Sequence, residues 1–196
     1  RITNSINEGS AGLNLFKIGV GHLNIEGNAA HSGMTSIEGG TLRLTAAGVL
    51  GASTNIVVRQ STLEINNTGN NIGDRIGDAA VLTSRGGGLT FSHDAAAAAA
   101  FSETLDQLDF RSGNTLIQMT AGAADGSSAL IFSNATAAIV RSGAGATARI
   151  EAPGLGTNAQ NEILLVPGAG LPAPQNGIIP WVVVKDGVGG TGADYN

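Results

Sequence analysis

Short apolar–x–apolar runs, each preceded by small residues, recur along the chain: Gly21-His22-Leu23-Asn24-Ile25, Gly40-Thr41-Leu42-Arg43-Leu44, Ser61-Thr62-Leu63-Glu64-Ile65 and Gly87-Gly88-Leu89-Thr90-Phe91. A period of two puts Leu42 and Leu44 on one face of an extended strand and Thr41 and Arg43 on the other. Each run therefore predicts a strand with one buried and one wet face. Weaker copies follow at 114–119, 128–132 and 146–150. Leu23, Leu42, Leu63, Leu89, Leu116, Leu130 and Ala148 are taken as equivalent positions of successive copies. Their spacing is shortest from Leu116 to Leu130, widest from Leu63 through Leu89 to Leu116, and averages roughly twenty-one, the length of one solenoid coil. Such a period means stacked units whose inward residues are buried only against the units above and below.

Further extended pieces at 35–37, 55–59 and 80–83 lie between these runs, separated by Gly, Asn, Asp and Ser clusters that supply turns. Each period thus holds more than one strand. The pattern predicts an all-β parallel solenoid of about 20 residues per coil over 1–152. All five prolines fall in 153–196, which is read as less regular strands continuing or capping the stack. An antiparallel β-sandwich also gives short, regularly spaced strands. One Trp, one Tyr and five Phe make a thin aromatic core for a sandwich and favour the solenoid. The alanine run after His93-Asp94, through Phe101-Ser102-Glu103, predicts either a two-turn helix with Asp94 as its N-cap or a small-residue corner.

Composition narrows the function classes. The chain has 196 residues, enough for one domain, and only 13% of them are charged. A net charge of −5, with ten basic residues spread thinly along the sequence, argues against nucleic acid and anionic membrane as partners. No run of eighteen apolar residues predicts a membrane-spanning helix. The absence of cysteine excludes thiolate metal sites and thiol nucleophiles. The first residue is Arg1, so the chain is expected to be processed or part of something longer.

The stretch Lys17-Ile18-Gly19-Val20-Gly21-His22-Leu23-Asn24-Ile25-Glu26-Gly27-Asn28, with Ser32-Gly33-Met34-Thr35-Ser36-Ile37-Glu38 and Gly39-Gly40-Thr41-Leu42-Arg43-Leu44, resembles the autotransporter-associated β-strand repeat of large bacterial surface proteins. That repeat, also called the passenger-associated transport repeat, alternates a K-x-G-x-G-x-L-x-L strand with a polar loop and a G-G-x-L-x-L strand. The resemblance covers about thirty residues. More loosely, 74–78 and 161–165 are similar to segments that follow such repeats. His31 stands where an aromatic is often found. The resemblance implies a right-handed parallel β-helix, export across a bacterial envelope and an extracellular or cell-surface location. It implies no catalytic residues.

Parallel β-helices also host glycan lyases and hydrolases with paired acids, so the carboxylates are candidates: Asp74 with Asp78, and Asp106 with Asp109. Turn capping is the simpler reading of both. His22, His31 and His93 have no metal-ligand spacing, and His22, sharing the outward place of Thr41, is expected on a solvated face. Gly189-Gly190-Thr191-Gly192-Ala193-Asp194 is one copy of a calcium nonapeptide that works through consecutive copies, so calcium at Asp194 stays open. Gly19-Val20-Gly21 leads into a strand and cradles no phosphate. Ser32 and Ser84 beside glycine read as turn residues. No catalytic residue, cofactor or metal is assigned. The expectation is a non-enzymatic structural segment, a scaffold, stalk or filament subunit. Its expected partners are copies of itself stacked end to end and surface glycan. A polysaccharide-binding adhesin is the second reading and a glycan lyase or hydrolase the third.

Overall fold

A computed structural model describes residues 1–93, 100–120, 127–155, 161–165 and 179–186. The strands are β1 (Leu15–Ile18), β2 (His22–Ile25), β3 (Thr35–Glu38), β4 (Thr41–Leu44), β5 (Asn55–Asn66), β6 (Val81–Ser92), β7 (Ala100–Leu105), β8 (Gln107–Met119), β9 (Ser127–Phe132), β10 (Ile139–Val140), β11 (Thr147–Ala152), β12 (Asn161–Leu165) and β13 (Val182–Asp186). Every strand pairing among the described residues is parallel, which rules out the antiparallel sandwich. A ten-stranded sheet runs β1-β3-β5-β6-β8-β11-β13, with β2 and β4 joining it beside β5. A second sheet runs β7-β9-β12. The described residues contain no helix, and this layered parallel arrangement is consistent with a β-solenoid.

The register explains the sequence pattern. Leu23, Leu42, Leu63, Leu89, Ile117, Ile150 and Val184 are successive partners in one column. Leu42, Leu63, Leu89 and Ile117 are buried there, as are Leu44, Ile65, Phe91 and Met119 two positions on. The regular period does not persist. Along this column every step in sequence is longer than the one before it, from Leu23 to Leu42 at the start to Ile150 to Val184 at the end. The equivalent of Leu89 is Ile117, because the register of β8 against β6 shifts twice, once at Arg111 between Phe110 and Ser112 and again between Ser112 and Thr115. Leu130 belongs to the other sheet, where it pairs with Glu103 and Ile163. Ala148 registers with Thr115 and is displaced from the expected place, which Ile150 takes. In the proline-rich tail, 161–165 and 182–186 do form strands, and they extend the two sheets.

Residues 100–105, expected to end a short helix, are strand β7; the Asp94 cap lies outside the described residues. Phe101, Glu103 and Leu105 are buried and Ser102 is not, the alternation of a strand edge on a core.

Strands β5, β6 and β8 are each bent once, about where β3 gives way to β4 in the earlier layer. The bend carries left-handed backbone: Gly39 and Gly40 between β3 and β4, Gly86 in β6 and Gly113 in β8. In β5 the residue is Gln60, with φ 47°.

The thirty glycines have a second cause besides turns. A Cβ at Gly77 would sit 2.5 Å from the carbonyl oxygen of Gly51, and one at Gly27 would sit 2.8 Å from that of Asn4. Gly48 against Ile25 O and Gly143 against Arg111 O are closer still. At these corners the backbone of one layer rests on the backbone of the layer before it. The interior is one apolar cluster running from Ile25 to Ala152, with Phe91, Phe110 and Phe132 among its largest members.

Candidate functional site

Asp106 and Asp109, singled out together in the sequence, do not share a site. Asp106 accepts from Asn134 Nδ2 at 3.0 Å through both oxygens. Asp109, nearly buried, accepts from Arg111 Nε at 2.6 Å and Ser142 Oγ at 2.5 Å. Each is occupied by its own partners. Burial, and secondarily the neighbouring Asp78, raises the Asp74 carboxyl above its ordinary range. Among the described residues no three His, Cys, Asp or Glu side chains are placed to share a metal ion. Asp194 and its glycine-rich stretch lie outside the described residues.

The histidines are dispersed. His22 is exposed and registers with Thr41. His93 is buried, its ring stacked on Phe101 with centroids 4.9 Å apart. His31 is buried against Thr35, with Nε2 and Oγ1 2.8 Å apart. Thr35 is 3.0 Å from Ser53 Oγ, which donates to Gly33 O at 2.9 Å. Burial lowers the His31 pKa, so the ring is neutral in this chain of hydroxyls. Ser32 accepts from Gly12 N and Ser84 bonds Thr115, both within the fold's own polar contacts.

Three charged groups that the apolar pattern does not reveal organise the interior. Lys17 takes an inward place registered with Ile37, and its ammonium donates to the carbonyls of Gly19 at 2.6 Å and Gly39 at 2.8 Å. The lysine of the K-x-G stretch thereby ties two corners together. Arg75 is fully buried. Its guanidinium donates to Asn67 Oδ1 at 2.5 Å, Gly48 O at 2.7 Å, Ala46 O at 3.0 Å and Asn70 O at 3.1 Å. Four acceptors from two layers satisfy the planar fork, which is why arginine serves here and lysine would not. Glu103, also fully buried, accepts from the backbone N–H of Arg75 at 3.0 Å and of Ile76 at 2.8 Å. Burial pushes its carboxyl up to about 7, against the pull of those two donors.

On the outside, register brings together basic residues that look scattered in sequence. Arg59 and Arg85 are direct partners in the parallel ladder. Arg111 sits at the bulge where the next layer meets Arg85. Three of the chain's ten basic residues thus lie in one row across three layers. Sequence did hold a trace of it: Arg59 and Arg85 each stand at the same offset before a column leucine, Leu63 and Leu89. Glu38 pairs with Arg59 at 3.5 Å and Asp109 with Arg111 at 2.6 Å. Arg85 has no acidic partner among the described residues, and its Nε is buried without a hydrogen bond. Beside the row, at the bend, an open groove of about 470 Å³ is lined by Thr41, Gln60, Thr62, Gly87, Gly88 and Leu116. It crosses four layers.

No family model matches the chain, and neither the curated proteins nor the solved structures contain a significant match.

Proposed function

We propose that the chain is a non-enzymatic structural segment of a large exported bacterial surface protein, a stiff right-handed parallel β-helix serving as scaffold or stalk. The observation that carries this reading is the parallel column from Leu23 to Val184, whose middle layers, from Leu42 to Ile117, bury their aliphatics against one another. A body built this way resists bending because its hydrogen bonds run along its axis. The repeat-like stretch 17–44 supports the family reading, since it forms two stacked layers whose corners are joined by Lys17. The exposed large apolar residues among those described, Leu13, Phe16, Ile18, Val20, Leu164, Val183 and Val184, lie in the first layer or in β12 and β13. Mid-stack faces carry none, as expected of a segment whose end layers meet more of the same body.

Two measurements test the proposal. Antibodies raised against the chain should label intact cells of the source organism, or its culture medium, before lysis. Small-angle scattering of the chain should fit a stack of strands about 4.8 Å apart, roughly 30–35 Å along its axis. Signal only after lysis overturns the location, and dimensions that do not fit such a stack overturn the β-helix.

A further inference from the structure

We infer that the row Arg59–Arg85–Arg111 and the bend groove beside it form a binding site for a linear acidic polysaccharide lying along the stacking axis. This goes beyond a scaffold role and does not depend on where the protein resides. In a chain of net charge −5, two arginines paired directly across a ladder repel each other, an arrangement that like-charge neighbours make unfavourable. Glu38 and Asp109 offset Arg59 and Arg111 at the two ends of the row. The middle member, Arg85, is left with an uncompensated charge and a buried Nε whose hydrogen is undirected. A carboxylate supplied from outside answers the charge, through the short charge-assisted bonds that guanidinium makes to carboxylate.

The spacing selects the polymer. Arginines on successive layers are about 4.8 Å apart, the separation of neighbouring strands. A polyuronate carries one carboxylate per sugar and can meet the row layer by layer. Duplex DNA carries a charge about every 1.7 Å, far denser than three partly neutralised arginines can match. The groove supplies the rest of a sugar's needs: hydroxyls of Thr41 and Thr62 and the amide of Gln60 for ring hydroxyls, and Gly87, Gly88 and Leu116 as a flat floor for its apolar face. The groove crosses four layers, so the bound chain runs along the stack and not across it.

The test uses the full chain and polygalacturonate in calorimetry at low ionic strength, with neutral dextran and duplex DNA as separate titrants. Polygalacturonate should bind saturably and dextran should not bind. Arg85→Gln should weaken binding about ten-fold, the loss of one charge-assisted contact. Arg59→Gln should weaken it as well, and carries the test if the first variant does not fold. Arg1→Gln, which removes an exposed charge from the first layer, should leave affinity unchanged. The same salt increment should weaken the parent more than Arg85→Gln. Absence of saturable binding, affinity unaltered in both row variants, equal loss in Arg1→Gln, or tighter binding of DNA than of polygalacturonate would each overturn the inference.

Discussion

The stacking of backbone on backbone can be tested at a single pair of glycines, Gly51 and Gly77. They face each other across two layers, yet they are not equivalent. A methyl group at Gly51 meets nothing within 4 Å, whereas one at Gly77 lies 2.5 Å from Gly51 O. Neither has positive φ, so the comparison isolates space from backbone preference. Relieving the clash to ordinary contact requires the two layers to part by about 1 Å at that corner. The hydrogen bond from Leu50 N to Arg75 O, 2.6 Å long, spans the same two layers. Lengthened by that amount, it reaches the limit of useful geometry. Loss of one backbone bond at about 1 kcal/mol, added to about 1–3 kcal/mol for overpacking, gives about 3 kcal/mol for Gly77→Ala. For a chain of this length that is about 5–10 °C in melting temperature. Gly51→Ala should be neutral or stabilising by about 0.5 kcal/mol, through the narrower unfolded ensemble. Thermal unfolding followed by far-ultraviolet circular dichroism, at the strand minimum, reads both. If the two variants melt within about 1 °C of each other, layers do not touch through their backbones at this corner, and the account of the glycine content fails.

Other outcomes follow from the buried charges and the bend. Arg75→Met leaves four carbonyl-type acceptors in the interior without a donor, and should cost about 3–5 kcal/mol in urea unfolding; Arg75→Lys should recover only part of that. Because the folded Glu103 carboxyl titrates near 7, above its unfolded value of 4.5, folding takes up a proton there. Stability relative to Glu103→Gln should therefore rise as pH falls from 8 to 5, by up to about 3 kcal/mol, and a difference that is flat or falls with acid would refute the assignment. Gln60→Gly should gain about 0.5–1 kcal/mol by relieving left-handed strain, less the entropy glycine adds to the unfolded chain; a loss of stability would mean that its side chain matters more than its backbone.

The first four layers were legible because each supplies a Leu-x-aliphatic or Leu-x-Phe pair with polar neighbours, and the period-two signal depends on little else. Beyond Leu89 the same signal misleads for definite reasons. Leu116 and Ile117 are both apolar, so the second register shift of β8 against β6, between Ser112 and Thr115, leaves no mark in the pattern. Ala129-Leu130-Ile131-Phe132 looks like another copy of the column, but alternation says only that a strand has an inner face, not which sheet it joins. Alanine-rich sequence before β7 signalled helix by propensity, while the burial of Phe101 and Leu105 against β9 decides for strand at 100–105. The polar features were hardest to see. Arg75 and Glu103, like Arg59 and Arg85, are a whole layer apart along the chain, a distance at which only the register, not local spacing, creates a neighbour. A thin scatter of charge along a sequence is compatible with a dense row on a surface.

The growth of the layers gives the body a polarity that identical repeats would lack. The path from Leu23 to Leu42 is the shortest circuit in the column and that from Ile150 to Val184 the longest. Loops have little room near the first end and much more near the other. Surface elaboration, and tolerance of insertions, should accordingly increase in one direction along the molecule, so that one half behaves as plain shaft and the other as the place where variety accumulates.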